Sequence, residues 1–136
     1  MKYQITTRSK RLLADTLTPV SIFLRIREQF PLSVMLESAD YHAMHNSFSY
    51  IGCDPVASIK IDQDQVEETY PDGSKKAYPL PAKKDAVKVL QAFASRFEGE
   101  ALGHGFISNG LFGHISYDAV QYFEDLEIQA KSELND

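Results

Sequence analysis

One cysteine is all that 136 residues contain, and Cys53 alone closes no internal disulfide, which fits a reducing cytoplasm. A nucleophilic thiol needs a base and an electropositive setting. Cys53 sits where a strand runs into a turn, so small core filler is the simpler reading. No apolar run approaches the ~20 residues of a membrane span, and the N-terminus lacks the apolar block of a signal peptide. Excess positive charge is missing too. A net charge of −5 argues against nucleic acid or an anionic membrane as the main partner. The one dense basic cluster, Arg8, Lys10 and Arg11, needs nothing more than a solvated strand end to explain it. There is no internal repeat and no low-complexity segment. A cytoplasmic soluble chain is expected.

What is present suits one domain with a true core: 43% hydrophobic and 24% charged residues. Residues 3–13 have the pattern of a strand that frays in its basic middle. Thr18 and Pro19 supply an N-cap and a first helical residue. Ile22, Phe23, Ile26 and Phe30 follow on one helical face, and Pro31 stops the helix. Residues 32–37 predict a strand, residues 47–54 a second that ends at Pro55, and residues 56–61 a third. Asp72-Gly73 between two strand-like segments signals a hairpin, whose charges suggest an exposed edge ribbon.

From Lys84 to Phe97 the period is helical. Ala86, Leu90, Phe93 and Phe97 form the buried stripe, Val89 and Ala94 its flanks, and Lys88, Gln91 and Ser95 the outer face, with Gly99 as a stop signal. Residues 106–118 read as strand and 119–125 as a short helix. Residues 125–136 are polar and read as a linker or a cut end. Strands outnumber helices and run consecutively, so the class is α+β, a mainly antiparallel sheet with two to three helices packed on it.

Spacing alone yields no catalytic site. His42 and His45 lack a third ligand nearby, so two surface histidines explain them better than a metal. His104 and His114 have no nucleophile elbow beside them. The glycines of Gly110-Leu111-Phe112-Gly113 fit neither phosphate-loop nor dinucleotide spacing. The feature that asks for an explanation is the end of the 32–37 strand. An apolar run finishes in Glu37 and Ser38, and a carboxylate out of water is costly unless a cation or several donors meet it. Either Glu37 has emerged into solvent or it awaits a partner.

Three ordered segments resemble the N-terminal region of the anthranilate synthase large subunit, component I. They are the Thr18-to-Arg25 helix entry, Met35-Leu36-Glu37-Ser38 followed by Ser49-Tyr50-Ile51-Gly52-Cys53-Asp54-Pro55, and Gly110-Leu111-Phe112 continuing through Tyr117-Asp118 to Phe123-Glu124. The resemblance implies that residues 1–124 form the regulatory domain of an enzyme of tryptophan biosynthesis. That enzyme, a lyase within a larger two-layer chorismate-utilising fold, converts chorismate and glutamine-derived ammonia to anthranilate and pyruvate.

It further implies magnesium and the chorismate-binding domain, both beyond this stretch, and a glutamine amidotransferase subunit (component II) as partner. The stretch alone is then expected to be inactive. L-Tryptophan is the implied feedback inhibitor, with its ammonium on Glu37, a hydrogen bond from Ser38, and Leu36 and Met35 anchoring the strand. Some family members carry a lysine where Phe48 stands before Ser49; here Phe48 is pocket wall or core. For Tyr117, Asp118 and Glu124 a joint to the rest of the enzyme is weighed against capping and packing. Two alternatives remain beside this one. Component I of aminodeoxychorismate synthase, on the folate route, shares the signature but tends to alter the residue at Glu37. A stand-alone amino-acid-binding module is the other.

Overall fold

The computed structural model describes residues 2–37, 48–100 and 109–124. Its strands are β1 (Tyr3–Ile5), β2 (Val34–Glu37), β3 (Ser49–Gly52), β4 (Ser58–Asp62), β5 (Gln65–Thr69), β6 (Lys75–Pro79) and β7 (Phe97–Gly99). Its helices are α1 (Pro19–Ile26) and α2 (Ala86–Ala94), with 3-10 turns at Lys83–Asp85 and Tyr117–Tyr122. β2 pairs with β3, β4 with β5 and β5 with β6, all antiparallel, and β1 pairs with β7. The class is α+β. Two compact units result: Met1–Tyr3 with Ala57–Glu98 and Gly113–Asp136, and Gln4–Val56 with Gly99–Phe112.

In the first unit the order β4-β5-β6 is a meander. Gln63 and Asp64 both take left-handed backbone, φ 46° and 60°, between the paired residues Asp62 and Gln65. Two left-handed residues make a turn whose twist matches that of the strands. The second turn, Pro71 to Ser74, uses Gly73 at φ 77°, and Asp72 Oδ1 accepts the Ser74 amide at 2.9 Å. It is the hairpin that Asp72-Gly73 predicts. The exposed edge ribbon is not found: β5 is the central strand, and Val66, Glu68 and Tyr70 on its inner face are buried. The pleat sends Glu67 outward and Glu68 inward, where two tyrosine hydroxyls satisfy the carboxylate.

The helix α2 buries Ala86 and Phe93 and half-buries Val89 and Leu90, while Lys88, Gln91 and Ser95 stay exposed, as the spacing predicts. It stops earlier than expected, and Ala94 is exposed. Ser95 Oγ donates to the Ala92 carbonyl at 2.8 Å, the chain turns, and Phe97 belongs to β7 instead of to the helix. Gly99 is therefore a strand residue and no helix stop.

The core packs Val66, Leu80 and Ala86 with Ile59, Ile61, Tyr78, Val89 and Tyr122. A ring cluster adjoins it: Tyr3 stacks on Tyr70 and Phe97 at 5.6 and 5.5 Å, and Phe93 lies 5.6 and 5.2 Å from the same two rings. Burying one such side chain contributes about 1.5–3 kcal/mol.

In the second unit Thr18 caps α1 as predicted. Its Oγ1 accepts the Ser21 amide at 3.1 Å, and Ser21 Oγ accepts the Thr18 amide at 3.1 Å, a reciprocal capping box. Ile22, Phe23, Ile26 and Phe30 are half-buried on one face. The regular helix ends at Ile26, although Phe30 still donates its amide to the Ile26 carbonyl at 2.9 Å.

Other expectations fail for local reasons. Of residues 3–13 only Tyr3–Ile5 pair as a strand. Residues 109–116 have no regular structure, and Leu111 and Ile115 are exposed. No described strand lies beside them to pair with, and residues 106–108 fall outside the described residues. Cys53 is exposed, because β3 ends at Gly52 and Asp54 turns the backbone at φ 51°. Among the described residues no helix is long and apolar enough to cross a membrane.

Candidate functional site

The β2–β3 pair brings the quoted motif residues together by register. Val34 faces Gly52, Met35 faces Ile51, Leu36 faces Tyr50 and Glu37 faces Ser49. Gly52 lets the strands close up: a Cβ there would lie 3.3 Å from Val34 Cγ2. At the open end of the ribbon Ser49 Oγ donates to Glu37 Oε1 at 3.5 Å, the long limit of a hydrogen bond. Two of the residues named from the sequence are thus joined directly.

Directly opposed residues share a face of the ribbon. Glu37 and Ser49 lie with Met35 and Ile51 on one side, and Leu36 lies with Tyr50 on the other. Phe48, two places from Tyr50, has its ring 6.5 Å from that of Tyr50, and Phe112 lies 5.9 Å from Tyr50. The structure therefore separates the five named residues. Glu37 and Ser49 form a polar pair, Leu36 and Phe48 belong to an aromatic face, and Ser38 lies outside the described residues. Motif reading missed Tyr50 and Phe112, although both stand inside the quoted segments; a period of two from Phe48 is the signal that finds the first.

Val34 and Met35 are half-buried, whereas Leu36 and Glu37 are exposed. Of the two explanations for an acidic strand end, the structure shows the first: Glu37 has emerged into solvent, and its charge is tolerated without a counter-ion. Among the described residues no lysine or arginine pairs with it. Its second carboxylate oxygen accepts from no described donor. Chemically the pair can take an ammonium group, the carboxylate as acceptor and the Ser49 hydroxyl beside it. Fully in water such a contact contributes under about 1 kcal/mol; a covering wall raises it.

The final motif contributes differently. Tyr117 is 87% exposed and Glu124 is exposed, and Ser116 gives the 3-10 turn no side-chain cap. Packing falls to Tyr122, in the core of the first unit, and Gln121 accepts from Lys83 Nζ at 2.7 Å. His114 is exposed on irregular backbone, and His42, His45 and His104 lie outside the described residues. Among the described residues no three His, Cys, Asp or Glu side chains could hold a metal ion. The magnesium implied by resemblance has no ligand set among them.

No family model matches the chain, and no solved structure does. Curated relatives do. Anthranilate synthase component 1 of Aquifex aeolicus is 29% identical over 133 residues, 92% of this chain and 25% of that protein. The proteins of the same name from Mycolicibacterium smegmatis and Mycobacterium tuberculosis are each 26% identical, over 136 and 139 residues, covering 98% of this chain. The chain spans about a quarter of the length of these relatives. Along nearly all of its own length it is similar to anthranilate synthase component 1, the family to which its three motifs point.

Proposed function

We propose that this chain is the regulatory portion of an anthranilate synthase component I. The whole enzyme converts chorismate and ammonia, delivered from glutamine by an amidotransferase subunit, to anthranilate and pyruvate. L-Tryptophan binds at the β2–β3 strand end and lowers that turnover. The opposition of Glu37 and Ser49 across the ribbon is the observation that carries this reading, because it sets a carboxylate and a hydroxyl where one ammonium group reaches both.

Ser38 adds a further hydrogen bond, and Leu36 and Phe48 hold the strand end from its aromatic face. Polypeptide beyond this stretch completes the pocket and excludes water from it. The ammonium–carboxylate contact then rises to roughly 1.5–3 kcal/mol. Inhibition follows if tryptophan binds one of two enzyme states better than the other.

The test is Glu37→Ala in the intact enzyme. The inhibitory tryptophan concentration should rise about 10- to 100-fold with chorismate turnover retained, the fold-change equivalent of that contact. Unchanged inhibition at unchanged activity removes Glu37 from the site. Anthranilate fluorescence as product separates this reading from aminodeoxychorismate synthesis.

A further inference from the structure

The first unit contains a buried acid that the proposed regulation leaves unused. Glu68 is 2% exposed on the inner face of β5, between Val66 and Tyr70. Tyr70 Oη donates to its Oε2, and Tyr78 Oη donates to its Oε1 at 2.8 Å. No ion pair reaches it among the described residues. The nearest positive groups are held by the Tyr70 ring: Lys76 Nζ is 5.5 Å and the Arg96 guanidinium 5.2 Å from its centroid. Lys76 also stands opposite Glu68 in the β5–β6 register, and the half-buried Ile59 stands opposite it on β4.

An apolar side chain of similar size is often the more stable occupant of such a place. What a carboxylate adds is direction. Tyr78 pairs with Val66, so its hydroxyl reaches Glu68 diagonally across the two strands. A one-residue slip of β6 sends Tyr78 to the outer face. A two-residue slip keeps it inside but carries it to a place opposite either Asp64 or Glu68, and the diagonal geometry is lost. Ile59, Ile61 and Val66 discriminate poorly against that second slip, being interchangeable hydrophobes.

The two turns differ in the same respect. The two-residue turn at Gln63 and Asp64 sets the β4–β5 register by itself. The longer loop from Pro71 to Ser74 constrains β5–β6 less. We propose that Glu68, clasped by Tyr78 across the strands and by Tyr70 along its own, is the register lock of the β5–β6 pair.

The test uses the full 136-residue chain and two variants, Glu68→Leu and Tyr78→Phe. The second keeps the ring and removes only the cross-strand hydroxyl. Amide NMR should show a second set of resonances for Gln65–Thr69 and Lys75–Pro79 at about a tenth of the intensity or more. Cross-strand contacts in that set should be displaced by two residues from Val66–Tyr78. Glu68→Leu should keep or raise the unfolding midpoint while showing the same doubling. A single set with the native pairs in Tyr78→Phe overturns the proposal whatever Glu68→Leu does. Loss of folding in Tyr78→Phe also overturns it, by making the clasp a source of stability instead of register.

Discussion

A Cβ placed on Gly99 would lie 3.2 Å from the Ile5 carbonyl oxygen and 3.3 Å from the Ile5 Cβ. The crowding atoms are the backbone and stem of the strand that β7 pairs with, so they move only if the pairing moves. The Asn109 amide nitrogen closes the third side at 3.4 Å, and that side chain is itself tied to Thr7 and to the Glu100 carbonyl.

Gly99→Ala should therefore destabilise by roughly 1–3 kcal/mol, the usual cost of overpacking. Gly113→Ala is the control. Nothing lies within 4 Å of a Cβ there, and removing a glycine's unfolded-state freedom contributes about 0.4–1 kcal/mol of stability. Urea midpoints that shift the same way in both variants would contradict the close approach of β1 to Gly99.

Removing the α1 cap should cost about 1 kcal/mol in Thr18→Ala. Thr18→Ser keeps the oxygen that accepts the Ser21 amide and should lie within a few tenths of the parent. Equal losses in the two would show that the methyl group, and not the cap, stabilises the helix start.

Alkali should weaken the first unit. Burial, and then donation to Glu68, raises the phenol pKa values of Tyr70 and Tyr78 above the ordinary tyrosine value. Burial likewise raises that of Tyr122. A raised folded value means that stability is complete below the unfolded pKa of about 10 and is lost as pH climbs through the folded values. Denaturant midpoints should be flat near neutrality and fall above about pH 10. Tyr78→Phe should shallow that fall; an unchanged slope would show that Tyr78 ionises equally in both states.

Short-range chemistry was legible in the sequence. Thr18-Pro19 marks a helix start because cap and first turn are adjacent, and Asp72-Gly73 marks a turn because a left-handed backbone has few tenants. The α2 stripe follows from its period. Glu68 could not be found this way. It stands next to an equally charged neighbour, and what draws it inward is a hydroxyl ten residues on. Phe97 continues the helical period and is still claimed by β7, where ring packing on Tyr3 outweighs propensity. The site was half legible. Glu37 and Ser49 stand in recognisable motifs, but their opposition is a fact of strand register, and the division of Leu36 and Phe48 from them follows from the pleat.

The meander between Ser58 and Pro79 also has a bearing on how the molecule assembles. Its strands join neighbours in sequence through small loops, so little chain entropy is lost before contacts form. β1 must instead find β7 from the far end of the described chain. Nucleation therefore belongs to the middle of the polypeptide, and Tyr3–Ile5 joins late. Pulse-labelled amides should acquire protection in β5 ahead of β1, and simultaneous protection would make the two parts one kinetic unit.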